Sequence, residues 1–527
     1  MNDRNQQSHA LLDRPLSRRA LLRTALATGA VTALAACAQP VAPAAPAGAP
    51  AAAGATRGTL RLAHILEWGG KEVLDPASPN RFFPPIELLY NRLVRLNNSG
   101  VPEPDLAVSW EADASAQVWT FKLREGVKFH DGKPLTANDV VYTLQHVVDP
   151  ELGSPGASVL EIMDVEGLDA PDDQTVIIPL KQPHADFPLL LLHYSCYVTP
   201  EGSADTIATT GIGTGPFKLQ ELNPEGKTVV VANDEYWEGA PGLAAIEMVS
   251  IPDGEARTAA LLADQIDYGG VSFGSAELVR RNANLELQSI GSGNWLPLVM
   301  DVRKPPFDDP KVRMAMKLVV DREEMVQTVL SGYGAPAWDH PVWPGDQYHL
   351  ALDRKQDIEQ AKTLLAEAGY PDGLDVVLHT TPNPDQMVPL AVTYKEQAAK
   401  AGIRVEIQQD PSDSYWNDVW MKVDFCTSFW GERQADQVLN EVFRGGANWN
   451  ESFWDNPEFA RLLDEARREL DFEKRKALYQ QAQQLVADDG GSIIPIFYNN
   501  LRARHLRVQG IVESERFFLW HKVSIQE

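Results

Sequence analysis

Cysteine is scarce: three in 527 residues, far too few for a disulfide scaffold. Cys196 and Cys426 lie 230 residues apart. That separation carries no geometric information; they can pair outside the cytoplasm, and buried free thiols are the commoner fate. The 11 histidines are scattered, with no H-E-x-x-H and no close His/Cys pair, so the spacings that hold a metal are missing. Neither a metal nor a cofactor is expected. Basic residues are in deficit, leaving a net charge of −26, and a surface this acidic repels nucleic acid and anionic lipid. After residue 40 no apolar run is long enough to cross a bilayer. There is no internal repeat.

What is present is ordinary globular material, 44% hydrophobic and 23% charged, of a length that predicts two to four domain-sized units. The N-terminus is different. In "SRRALLRTALATGAVTALAACAQP" a short apolar stretch follows a basic region and ends at small residues, the layout of a signal peptide rather than a spanning helix. Ser17–Leu22 resembles the twin-arginine export motif, and Leu34–Cys37 resembles the lipobox of bacterial lipoproteins. On that reading 1–37 is removed or processed, Cys37 becomes a lipidated N-terminus, and 38–56, rich in Ala, Pro and Gly, is a tether too poor in core residues to fold.

From Arg57 the chain is strand-rich. "TLRLAHI", "VWTFKL", "QTVIIPL", "FKLQEL" and "KTVVVAND" read as strands. Asp131-Gly132 reads as a hairpin turn, and Thr136 with Asp139 as a capping box opening a helix. After residue 300 helices take over. Asp309-Pro310 offers an N-cap with proline at the first helical position. Asp321 and Glu324 open a helix that ends at Gly332. Ile358, Ala361, Leu364, Leu365 and Ala368 form an apolar stripe stopped by Gly369 and Pro371. "LDVVLHT" and "IRVEIQQ" flank a helix in a β-α-β pattern, Asn456-Pro457 caps a helix pair running to Asp489, and "SIIPIFYNN" returns to strand.

Little here carries covalent chemistry. Gly270-Val271-Ser272-Phe273-Gly274 matches G-x-S-x-G, the nucleophile elbow of serine hydrolases, but no oxyanion-hole motif precedes it. Gly211–Pro216 is glycine-rich, yet a strand follows where a phosphate site needs a helix; it reads as a turn. Tryptophan is plentiful late in the chain, with seven of 13 between Trp338 and Trp454. Most belong to core packing, and a few can wall a cleft.

"PEPDLAVSWEADASAQVWTFKLREGVKFHDGKPLTANDVVYTL" closely resembles the signature of bacterial extracytoplasmic solute-binding proteins of family 5, the dipeptide/oligopeptide/nickel-binding proteins of ABC importers. "GTGPFKLQELNPEGKTVVVANDEYWEGAPGL", "PPFDDPKVRMAMKLVVDREEMV", "AKTLLAEAGYPDG" and "NPEFARLLDEARRELDFEKRKALYQQAQQLVADDGGSIIPIFY" follow in the family's order. The resemblance implies an α/β, two-lobed periplasmic-binding-protein-like fold of class II with an extra subdomain in lobe one. Lobe one would combine 57–90, 181–300 and 491–527, with the subdomain at 91–180 and lobe two at 301–490. Strands near Leu298–Val302 and Ile494–Tyr498 would form the hinge. The implied function is to bury a small solute between the lobes and deliver it to the permease subunits of an ABC transporter. The protein would be an extracytoplasmic monomer, in the periplasm or at the cell surface, touching membrane only through lipid on Cys37. An enzyme with Ser272 as nucleophile, or a chaperone on the same scaffold, is the alternative.

The resemblance also bears on the ligand. Peptide receptors of the family carry an aspartate three residues after a cleft tryptophan, where it pairs with the peptide amine. In "DFCTSFWGERQADQVLNEVF" the tryptophan is Trp430 and the third residue on is Arg433, with Asp436 at a second acidic position. A cation thus stands where the amine-binding carboxylate is expected. It either takes a carboxylate or phosphate of the solute or pairs internally with Asp436. Trp430, Arg433, Asp436, Trp295 and Trp449 are the expected ligand contacts. The solute is expected among peptides, modified peptides, opines and glycosides. No histidine lies in this stretch, which disfavours nickel and leaves haem-like or chelated ligands open.

Overall fold

The computed structural model describes residues 57–97, 100–511 and 519–526; the signal-type segment, Cys37 and the tether lie outside them. The local signals act as their chemistry predicts. The Thr136 amide donates to the Asp139 carboxylate at 2.8 Å and completes the capping box of the helix Ala137–Val148. Asp309 accepts from the Lys311 amide ahead of Pro310–Leu318, Asp321 from Glu324 ahead of Arg322–Leu330, and Asn456 from Glu458 and Phe459 ahead of Pro457–Arg468. Each such cap is worth about 1 kcal/mol. One helix end differs from expectation: Arg322–Leu330 stops before Ser331, which adopts φ 52° itself, with Gly332 at φ 84° behind it.

Two large sheets organise the chain. The first has the spatial order Leu285–Trp295, Ile496–His505, Tyr268–Gly270, Thr59–His64, Ala245–Ser250, Thr228–Ala232, Phe217–Glu221. Thr59–His64 is parallel to both its neighbours, and the remaining pairs are antiparallel. The second runs Ile403–Gln409, Leu374–Thr380, Phe425–Thr427, Leu298–Met300, Ser492–Ile493. Within it Leu374–Thr380 and Ile403–Gln409 pair in parallel across the helix Met387–Ala399, as the β-α-β pattern predicts. A third, four-stranded antiparallel sheet, Ala107–Ala112, Val118–Leu123, Thr175–Pro179 and Asp169–Asp172, carries the helix Ala137–Val148. The fold is α/β and two-lobed.

The chain passes from the first sheet to the second between Trp295 and Leu298, through Leu296-Pro297, and back between Ile493 and Ile496, through Ile494-Pro495. Proline lacks the N–H that would extend the ladder, so each strand ends where the chain changes sheet. One strand departs from a simple division at residue 301: Gly334–Pro336 pairs with Ile496–Tyr498 of the first sheet. Each sheet has its own apolar core. Val312, Met316, Leu378, Leu390, Tyr394 and Phe425 belong to the second, and Leu60, Phe82, Leu88, Phe217 and Ile246 to the first. Cys196 and Cys426 are free and buried in different cores, so they do not pair, and burial pushes the Cys196 thiol up to about 12.

Candidate functional site

Two adjoining cavities lie where the sheets meet. The larger, about 910 Å³, is lined from the first sheet and its loops by Ile65, Arg257, Phe273 and Tyr498, and from the second by the loop Pro382–Gln386. The smaller, about 520 Å³, is lined by His193, Tyr194, Arg433, Gln437 and Trp449. Phe83, Glu87, Asn500 and Arg502 line both and join them. Volumes of this order suit a small organic solute.

Arg433 enters the smaller cavity on a backbone fastened to the first sheet: Trp295 and Trp430 exchange both N–H···O bonds at 3.0 Å, and their rings stack at 6.0 Å. The Trp430 indole N–H donates to Glu451 at 2.9 Å. Burial pushes the Glu451 carboxyl up, opposed by bonds from Ser428, Trp420 and Trp430. The guanidinium carbon of Arg433 stands 4.9 Å from the Trp430 ring centre and 5.4 Å from that of Trp449, within cation–π range. Its Nε donates to Glu441 at 3.1 Å and its Nη1 to the Gly431 carbonyl at 3.2 Å. Nη2 makes no hydrogen bond among the described residues. His193 nearby is pushed down to about 3, by burial first and then by Arg81, Arg92 and Arg433. It is therefore neutral at neutral pH, and the positive charge of this corner is arginine's, set against the carboxylates Glu87, Glu432 and Glu441 that line the same cavity.

Three of the five expected contacts need correction. Asp436 does not pair with Arg433. It is 3% exposed and accepts two bonds from Arg467 at 2.8 Å, one from the Tyr479 hydroxyl at 2.9 Å, one from Asn440 at 3.0 Å and one from His184 at 3.1 Å. Burial alone would raise its pKa, but Arg467 and His184 overrule it and hold the carboxyl well below the usual range. With its acceptor sites filled, Asp436 has nothing left for a solute. Trp295, 1% exposed, stacks between Trp430 and Phe443 as a core residue. Trp430 backs Arg433 from beneath rather than lining the cavity. Arg433 and Trp449, the latter 43% exposed, are the two that face it. Glu441, the real partner of Arg433, escaped sequence reading because a turn of π-helix, Leu439–Phe443, brings back a residue eight positions away.

The larger cavity was also missed, although Gly270–Phe273 line it. The stretch that matches the nucleophile-elbow pattern without an oxyanion-hole motif is a loop of the cleft wall. The Ser272 hydroxyl donates to Glu255 at 2.9 Å and accepts from the Ser275 amide, so it is engaged by a carboxylate rather than by a histidine base. Gly211–Pro216, expected as a turn, is an irregular, bent connection from the helix Ala204–Thr210 to the strand Phe217–Glu221. A Cβ on Gly213 would lie 2.0 Å from the Leu89 carbonyl oxygen, so glycine there permits close backbone packing.

Two lobes, a cleft between their sheets and side chains suited to holding a small molecule define a small-molecule binding protein. The comparisons agree. Residues 101–451 match the middle region of bacterial extracellular solute-binding proteins, family 5, and the chain belongs to that family, whose members are substrate-binding proteins of ABC importers. It is 29% identical to heme-binding protein A of Haemophilus influenzae over 81% of this chain and 84% of that one. It is 28% identical to the glutathione-binding protein GsiB of Escherichia coli K12 over 76% and 81%. The structure of HbpA2 from Haemophilus parasuis superposes with a TM-score of 0.78 at 25% identity, covering 89% of this chain and all of that one. The family is one of binding proteins rather than enzymes, and it is extracytoplasmic. Among the described residues no helix is long and apolar enough to cross a membrane.

Proposed function

We propose that this protein captures a peptide-like, anionic solute in the joined cavities and presents it to an ABC permease as a monomer. The observation that carries the reading is Arg433. A guanidinium sits over two indoles at the cleft, with one nitrogen unengaged, in a corner whose titratable neighbour His193 is neutral. A carboxylate is the natural partner for that nitrogen, and Trp449 offers an apolar wall beside it. Glu432 and Glu441 also line this cavity; Glu441 is held by Arg433 and Gln437. The relatives named for glutathione and heme, both carboxylate-bearing molecules, make the same class reasonable here; opines and acidic glycosides belong to it as well. The lobe boundaries at 57–90, 181–300 and 491–527 against 301–490, with a subdomain at 91–180, are part of this reading, with Leu296-Pro297 and Ile494-Pro495 as the hinge.

Mass spectrometry of small molecules released from denatured protein names the solute. Thermal shift then checks it: a ligand bound only by the native state at 100 times its Kd stabilises by about 2.7 kcal/mol. Small-angle scattering should show a smaller radius with solute present, and unchanged dimensions at saturation would sink closure. The N-terminus completes the proposal. Export by the twin-arginine route and lipid on Cys37 predict that Arg18→Lys with Arg19→Lys leaves precursor in the cytoplasm, and that Cys37→Ser releases the protein from membranes or blocks its processing.

A further inference from the structure

Arg257 stands in the first turn of the helix Gly254–Leu262 and lines the larger cavity. It is 6% exposed, yet among the described residues it forms no ion pair with a carboxylate. Its Nε donates to the Gly270 carbonyl at 2.9 Å, and its Nη1 to the carbonyls of Ile251 at 2.5 Å and Pro252 at 2.7 Å. Nη2 has no acceptor among the described residues. The acids of the same corner are engaged: Asp253 accepts from the Ala256 amide at 2.7 Å, and Glu255 from the hydroxyls of Ser272 and Ser275. Glycine flanks the guanidinium on both sides. A Cβ at Gly254 or Gly270 would stand 3.7 Å from Nη2; without one, that end of the head group stays uncovered. His64 lines the same cavity and is pushed down to about 4, by burial and then by Arg502 and Arg257. It adds no charge of its own at neutral pH. A buried cation whose hydrogen bonds go only to carbonyls, with Asp253 acting on it from beyond ion-pair distance, carries a desolvation cost that an anion relieves.

We infer that Arg257 is a second anion anchor, whose open Nη2 takes the C-terminal carboxylate of the same solute whose other carboxylate Arg433 holds in the adjoining cavity. The solute class narrows accordingly to molecules with two separated carboxylates, such as acidic short peptides. Both arginines are built alike: Nε and Nη1 are clamped by protein oxygens, and Nη2 is left over. Each therefore makes a one-pronged contact from a fixed head rather than the two-pronged clamp that a free guanidinium offers. The inference rests on the reading of the cleft as a receptor for anionic solutes.

The test is retention from an equimolar pool of glutathione, Ala-Ala-Glu, Ala-Glu-Ala and Glu-Ala-Ala, each with its C-terminal amide, by full-length protein in dialysis with mass-spectrometric readout. Wild type should retain the free acids at least tenfold over the amides, which lack one carboxylate. Arg257→Gln should erase that preference while keeping the amides within about twofold, and Arg257→Lys should keep part of it. A purely structural clamp would lower retention of acids and amides together; that result, or a preference surviving in Arg257→Gln, overturns the inference. Should the Gln variant fail to fold by circular dichroism, Arg257→Lys decides: an unchanged preference overturns, and a loss of threefold or more supports. If Arg433→Gln weakens retention and Arg257→Gln does not, the second anchor falls and the receptor reading stands. If wild type retains no member, both fall.

Discussion

Arg433 and Asp436 are three residues apart and have opposite fates. Asp436 is enclosed by Arg467, His184, Tyr479 and Asn440. These bonds tie the loop at 184–186 to the helices Pro457–Arg468 and Phe472–Asp489, as do the 2.7 Å bond from the Ala185 amide to the Arg467 carbonyl and the contacts of Asp186 with Tyr348 and Arg475. Arg433 has one carboxylate, one carbonyl, two indoles and open space. The difference separates two uses of charge. Where protein fills every lone pair, a charge holds the fold together; where a donor is left facing a cavity, the charge is available to a ligand. Arg257 follows Arg433 in this, although it is the more deeply buried of the two.

The contrast predicts a graded series. Asp436→Asn should have the largest effect on folding, about 3–5 kcal/mol by denaturant titration, because it breaks a charge pair around a buried carboxylate and leaves the half-buried Arg467 without its counter-charge. The sign with pH follows from the depressed pKa of Asp436. Its contribution is fully present above the ordinary carboxylate pKa of about 4 and is lost as pH falls through the lower folded value. The gap between wild type and variant should therefore narrow below pH 4. A gap that widens there, or a loss under 1 kcal/mol at pH 7, would break the comparison from the structural side.

Arg433→Ala should do the reverse. Removing one member of a desolvated charged pair costs about 2–5 kcal/mol of binding, so calorimetry should show affinity down by roughly 30-fold or more. Stability should move by less than about 1 kcal/mol, since its pair with Glu441 is partly exposed. Binding within threefold of wild type would make Arg433 a structural residue like its neighbour. Arg433→Lys should restore part of the loss: the charge returns, but the clamps through Nε and Nη1 that aim the head do not. Trp449→Ala should have the smallest effect, a few-fold in affinity from a lost cation–π contact of about 0.5–1 kcal/mol and no change in melting temperature. A stability loss there would mean that the exposed indole is part of the core after all.

Much of the fold was legible because it rests on local physics. Thr136 with Asp139, Asp309 with Pro310, and Asn456 with Pro457 act within one helical turn, so their capping role is written in adjacent letters. The β-α-β unit at 374–409 was readable for the same reason: apolar period changes from two to 3.6 and back. Trp430 and Arg433 were found through family order, whereas the glycine pattern at 270–274 marked a loop without saying that its first four residues line the cleft.

The sequence by itself determined the elements, the family and the substitution of a cation at Arg433. Only the tertiary structure decided which charges meet. Arg467 reaches Asp436 across 31 residues, His184 across 252, and the Gly270 carbonyl caps Arg257 from 13 residues away. A hydrogen bond depends on a separation of about 3 Å in space, and chain distance constrains that only within a turn or two of helix. Beyond it, the packing of whole sheets and helices sets the neighbours, and with them which arginine is spent on the fold and which is left open to the cleft.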